Sequence, residues 1–218
     1  MNGRQRRALV LAHRGGDVGQ PNSLEAIRSA AARGADGVEI DIQLTDGRLI
    51  ARHDLGTIAD EESHDTFDDV LRLATELGLF LLIDFKSSGE AAVGAEAEAL
   101  AAALPPAGST QRLAVSAFSL PFLARFAELR PDVERHAIIS LRQNFWGRSA
   151  LAAGSGVSVL AAALLVKPQL VRQATRNGGR LLVWFGATEW PFVIRLAARV
   201  GADGLIVHRL GAVAGRLR

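Results

Sequence analysis

Four short segments hold the residue types from which hydrolytic chemistry is built: His13-Arg14, Glu39-Ile40-Asp41, His53-Asp54 and Asp84-Phe85-Lys86. Glu39 and Asp41 are two positions apart, so on a strand both carboxylates leave the same face, about 6–7 Å apart along it. With Asp84 alongside they repel; at an effective dielectric near 20, two like charges about 4 Å apart cost roughly 4 kcal/mol. A divalent cation relieves that conflict, and an all-oxygen donor set favours Mg²⁺ or Ca²⁺ over Zn²⁺. A metal-free ionic network with Arg14 and Lys86 relieves it as well, and spacing alone leaves both arrangements open. His13 and His53 stand where a general acid and a general base would flank a reacting centre. Arg14 and Lys86 supply fixed positive charge suited to a phosphate, so the set as a whole reads as phosphoryl chemistry.

These residues need elements to position them. Short β-like apolar runs recur roughly every 25 to 30 residues: 8–13, 37–42, 79–85, 112–118, 136–141, 157–162, 180–186 and 204–208. Between them lie Ala-, Leu-, Arg- and Glu-rich stretches with helical spacing. Helix starts are expected at Ser23, Thr66, Ser119, Lys167-Pro168 and Thr188-Glu189, and each helix is expected to end at a Gly, as at Gly34 and Gly78. Near-continuous apolar strands alternating with helices argue a parallel sheet covered on both faces. Eight such units predict a compact (β/α)8 TIM barrel over residues 1–218 as one domain, near the lower size limit for that fold. The competitor is an open doubly wound sheet, but no GxGxxG follows the first strand. Asp46-Gly47 marks a tight turn, so a small hairpin running on to His53 hangs off strand two and returns His53 over that strand's end. In a barrel of this kind the polar residues at the ends of strands one to three share one face.

Composition sets the outer bounds. The chain has 218 residues, 49% hydrophobic and 22% charged, which excludes a disordered chain. A net charge of +2 gives no argument for a nucleic-acid partner. The absence of Cys excludes thiol nucleophiles, disulfides and Cys metal sites, leaving Asp, Glu and His as candidate metal ligands. Ala8–Ala12 is too short for a signal-peptide core, and Val157–Val166 covers about half a membrane span, so a cytoplasmic location without a transmembrane segment is expected.

In order and spacing, His13-Arg14-Gly15, Asn22-Ser23, Gly34-Ala35-Asp36, Gly37-Val38-Glu39-Ile40-Asp41-Ile42, Thr45-Asp46-Gly47 and His53-Asp54 resemble the glycerophosphodiester phosphodiesterases, a TIM-barrel hydrolase family. A weaker likeness runs through Ile83–Lys86, Ser116–Phe118, Leu182–Trp184 and Gly201–Ile206. The resemblance implies hydrolysis of a glycerophosphodiester to glycerol 3-phosphate and an alcohol. Glu39, Asp41 and Asp84 would hold the divalent metal, His13 and His53 would form the acid–base pair, and Arg14 and Lys86 would hold the phosphate. Trp184 would line the substrate pocket, and a neighbouring hydroxyl of the substrate can serve as nucleophile.

The chain also departs from the family. It has Gln20-Pro21-Asn22-Ser23 where Pro-Glu-Asn-Thr is usual, Asp84 where the third metal ligand is usually Glu, and His208 where an Asp is common. The covering segment Leu55–Ser63 is short, which admits a bulkier alcohol. Two alternatives follow: a phospholipase D-type enzyme acting on lysophospholipids, and a barrel that binds phosphate without catalysis. Phe145, Trp146 and Trp190 could rim a lipid site or anchor loops, and His64 and His136 are read as surface or strand-end residues.

Overall fold

In a computed structural model, the eight apolar runs are the staves of a closed barrel; the structure describes residues 7–55, 64–109, 111–143, 156–166, 179–186 and 189–213. The strands are β1 (Leu9–His13), β2 (Gly37–Thr45), β4 (Phe80–Phe85), β5 (Leu113–Ala117), β6 (Glu134–Ile139), β7 (Gly156–Leu160), β8 (Leu181–Trp184) and β9 (Gly204–Val207). They are hydrogen-bonded in the order β1-β9-β8-β7-β6-β5-β4-β2, all parallel, and β1 pairs with β2 to complete the ring. The short β3 (Arg48–Ala51) lies outside the ring, antiparallel to β2. Its turn, Asp46-Gly47, has φ of 49° and 74°, the two left-handed positions that a tight hairpin requires. This is the (β/α)8 TIM barrel with a hairpin after strand two.

The helices around it are α1 (Leu24–Ala32), α2 (Phe67–Glu76), α3 (Val93–Ala103), α4 (Leu120–Leu129), α5 (Ala161–Val166) and α6 (Pro191–Arg199). Ser23, Thr66 and Ser119 cap α1, α2 and α4, each side chain accepting from a backbone N–H three residues on. Not every helix ends at glycine. Leu104-Pro105-Pro106 follows α3 and Arg130-Pro131 follows α4, where proline cannot continue the helix. At α6 the cap position is Trp190, whose indole offers no acceptor and makes no side-chain bond. Ala161 and Ala162 belong to the helix α5 rather than to β7; from Val159 to Val166 the chain is wholly apolar, so no polar residue marks where strand becomes helix. Thr188, Lys167-Pro168, Phe145 and Trp146 lie outside the described residues. Among the described residues no helix is long and apolar enough to cross a membrane.

Period-two alternation divides the strand side chains between two cores. Ile40, Ile42, Ile83, Phe85 and Val115 face the helices, whereas Leu11, Phe80, Leu82, Ala114, Leu182 and Ile206 pack inside the ring and fill its lower half. Glycine makes room there: at Gly156 a Cβ would come within 2.6 Å of both the Arg180 carbonyl oxygen and His136 Cε1. His136 is therefore neither a surface nor a strand-end residue. It is fully buried inside β6, with Nε2 2.8 Å from Glu134 Oε1.

The outer core orients the site. Phe85 stacks on Phe122 with ring centroids 4.2 Å apart, and Phe122 stacks on Phe126 at 5.9 Å. Turning Phe85 outward onto α4 leaves its neighbours Asp84 and Lys86 facing inward. Phe122→Ala is expected to lower the unfolding free energy by about 3–5 kcal/mol, measured by urea denaturation.

Candidate active site

The register at the carboxyl ends of the strands brings the polar residues together. His13 is level with Glu39, Asp41 with Asp84, and Asp84 with Ser116. Glu39, Asp41 and Asp84 are all buried, and each offers one oxygen to a cluster in which all three lie within 4.8 Å of one another. The Lys86 ammonium bridges two of them, 2.6 Å from Asp84 Oδ2 and 2.8 Å from Asp41 Oδ1. Arg14 Nε is 3.0 Å from Asp41 Oδ2, an ion pair without hydrogen-bond alignment. Three carboxylates thus face two cations, and Asp84 Oδ1 is buried with no hydrogen-bond partner. An orphaned acceptor in a set of three carboxyl groups that two cations face fits a hard divalent ion, even with the shorter Asp84 side chain.

Local backbone geometry holds this cluster. Arg14 has φ of 53°, and this left-handed turn after β1 aims its amide N–H at Glu39 Oε2, 2.9 Å away, while its guanidinium reaches Asp41. Asn22, at φ 63°, clamps Asp41 from both sides: its Nδ2 donates to Asp41 Oδ2 at 2.9 Å and its Oδ1 accepts from the Asp41 amide at 3.0 Å. Sequence reasoning placed Asn22 in the family-like pair Asn22-Ser23 before α1 and missed this contact. It also missed Glu96, a buried carboxylate on α3 that accepts from the Ser87 and Ser88 hydroxyls and the Ser88 amide, fixing the loop that carries Lys86. Glu189 was read as part of a helix start. It is buried and accepts from the amides of His208 and Arg209, tying the β8 loop to the β9 loop.

His13, Arg14, Glu39, Asp41, His53, Asp84, Lys86 and Trp184 line one cavity of about 130 Å³, so all the residues selected from the sequence converge. Ser116 and Ser158 also line it; as small polar residues on apolar strands they gave little signal. His53 is half-exposed at the mouth, with Nδ1 2.7 Å from Asp54 Oδ1, and His13 faces His208 edge-on with ring centroids 6.2 Å apart. The Trp184 indole N–H is buried without a partner on the cavity wall. Most of the covering segment Leu55–Ser63 lies outside the described residues.

Known proteins share this fold and part of this sequence. A model of the glycerophosphoryl diester phosphodiesterase family matches residues 13–65. The chain bears the signature of these phosphodiesterases. A glycerophosphodiester phosphodiesterase of Caldanaerobacter subterraneus is 48% identical over 50 residues, 22% of this chain and 21% of the relative. One of Bacillus altitudinis is 31% identical over 157 residues, 57% of this chain and 64% of the relative. The chain thus spans about a fifth of the first relative's length and less than two thirds of the second's. Among solved structures, an Oleispira antarctica phosphodiesterase in complex with the product sn-glycerol-3-phosphate superposes with a TM-score of 0.77 at 20% identity, covering 94% of each chain. A glycerophosphodiester phosphodiesterase of Parabacteroides distasonis gives 0.78 at 21% identity, covering 93% of each. The phosphodiesterase signature includes His13, Arg14, Glu39, Asp41 and His53; Asp84, Lys86 and Trp184 lie beyond it and join the site through the barrel.

Burial and crowding set the protonation of the site. Desolvation raises Glu39 well above the usual carboxylate range, with Asp41 and Asp84 adding to it. Asp84 is pushed up to about 6, mainly by burial. Burial acts on Asp41 as well, but Lys86, Asn22 and Arg14 outweigh it and hold the group below its ordinary value. The Lys86 ammonium loses hydration, yet the carboxylates around it more than compensate and raise its pKa. His13 is lowered from 6.5 to about 4, first by burial and then by Arg14. Between these values the unfolded chain takes up a proton that the folded chain refuses, so this group erodes stability as pH falls from 6.5 to 4. The His13 ring resonances should titrate with a midpoint near 4 in nuclear magnetic resonance spectra; a midpoint at 6.5 would contradict the burial argument. Asn22→Ala leaves the buried Asp41 amide unpaired and should lower thermal stability by about 1–3 kcal/mol.

Proposed function

We propose that this chain hydrolyses glycerophosphodiesters to glycerol 3-phosphate and an alcohol, as the names of its relatives suggest. The observation that carries the reading is the buried Glu39–Asp41–Asp84 cluster with its orphaned oxygen, set between two histidines and two cations in one cavity. Glu39, Asp41 and Asp84 would hold a divalent ion, Mg²⁺ or Ca²⁺, which when bound supplies Lewis-acid polarisation of a phosphoryl oxygen. Arg14 and Lys86 orient the phosphate and oppose its charge.

The two histidines divide the proton transfers. His13, held neutral by burial, suits the base that takes the proton from the attacking hydroxyl, a neighbouring hydroxyl of the substrate. His53, with Nδ1 held by Asp54, turns its other nitrogen to the departing alkoxide and suits the acid that protonates it, which leaves a cyclic phosphodiester. In the return step His53 takes a proton from a water that attacks the phosphorus, the ring P–O bond breaks, and His13 returns its proton to the freed glycerol oxygen, giving glycerol 3-phosphate. The Trp184 indole packs on the glycerol carbons and offers its N–H to a substrate oxygen. Beside the cavity, a groove of about 640 Å³ shares Arg14 and His53 with it and provides space for the alcohol.

Release of glycerol 3-phosphate from glycerophosphocholine should be lost in EDTA and restored by Mg²⁺ or Ca²⁺. His13→Ala and His53→Ala should each fall about 10²–10⁴-fold in kcat with unchanged circular dichroism; wild-type rates in either variant would refute the assignment. Because Glu39 and Asp84 have raised pKa values, ion binding near pH 6 should release protons, read by calorimetry in buffers of different ionisation enthalpy.

A further inference from the structure

Apolar surface starts beside the mouth of the site and runs down one helix. Trp190, Phe192, Leu196 and Val200 are 55%, 57%, 42% and 42% exposed. The last three repeat every four residues, so they form one stripe on α6 and its end, while Val193, Ile194 and Ala197 face the barrel. The Trp190 and Phe192 rings lie 5.6 Å apart at the start of the helix. That end adjoins the site, since Glu189, the residue before Trp190, holds the amide of His208, whose ring faces His13. Leu55 and Leu141, on other loops at the same end of the barrel, are 53% and 46% exposed.

Charge indicates what covers this stripe. Arg195 and Arg199 are exposed between its apolar residues, and Pro191–Arg199 contains no acidic residue. Glu189 is buried and turned onto backbone amides. An apolar face with interfacial aromatic residues and unopposed arginines complements a lipid surface bearing negative headgroups.

We propose that α6 and Trp190 dock the barrel on an anionic lipid bilayer. The inference stands apart from the phosphodiesterase reading, because vesicle binding is measured without turnover and turnover without vesicles. The test is cosedimentation of the full chain with vesicles of phosphatidylcholine and of phosphatidylcholine mixed with phosphatidylglycerol, with tryptophan emission recorded. Binding with a blue shift is expected on the anionic vesicles. Arg195→Gln with Arg199→Gln should weaken it about thirtyfold, and Phe192→Ser with Leu196→Ser should abolish it. Both double variants should keep the wild-type circular dichroism and its rate on glycerophosphocholine. Absence of binding, equal binding to both vesicle types, or binding unchanged by the serine variant would overturn the proposal. So would a wild-type dimer that binds no vesicles and that the serine variant converts to a monomer, since a second copy would then cover the face.

Discussion

Three carboxylates buried within 4.8 Å of one another form the constraint on which the rest of the site depends. Protein interiors do not tolerate such a cluster unless opposite charge is fixed against it. Here Lys86 reaches two of the carboxylates and Arg14 one, while Asn22 and the Arg14 amide fill further acceptor positions. These partners come from three places: the turn after β1, the start of α1 and the end of β4. The cluster therefore joins the β1 turn, the start of α1, β2 and β4 into one electrostatic unit, and a displacement of any of them unbalances the others.

The packing supports that unit from outside. Phe85, stacked on Phe122, fixes which face of β4 is turned to the barrel axis, and Glu96 anchors the following loop through three donors from Ser87 and Ser88. Neither residue touches the cavity. Both determine whether Lys86 stands at hydrogen-bond distance from Asp41 and Asp84 or swings into solvent.

Much of this was legible in the sequence, for physical reasons. Buried parallel strands need apolar side chains on both faces, so the eight strands appeared as predominantly apolar runs, and the alternation at Glu39 and Asp41 stood out against that background. Asp46-Gly47 fixed the hairpin, because few dipeptides adopt two successive left-handed conformations. Other features left no local trace. The Asn22 clamp depends on a side chain meeting a strand 19 residues away. Glu189 looked like the opening of a helix, and its actual partners lie on the loop after β9. His136 was misplaced because the space that lets it enter the barrel comes from Gly156, on the neighbouring strand.

The lower interior is plugged by Leu11, Phe80, Leu82, Ala114, Leu182 and Ile206, so the barrel is a cup with one opening rather than a channel. Whatever enters must leave by the same route. Under the hydrolysis proposed above, both fragments of a cleaved molecule would share that exit with the next arrival, so the order in which they depart would be a property of the rim.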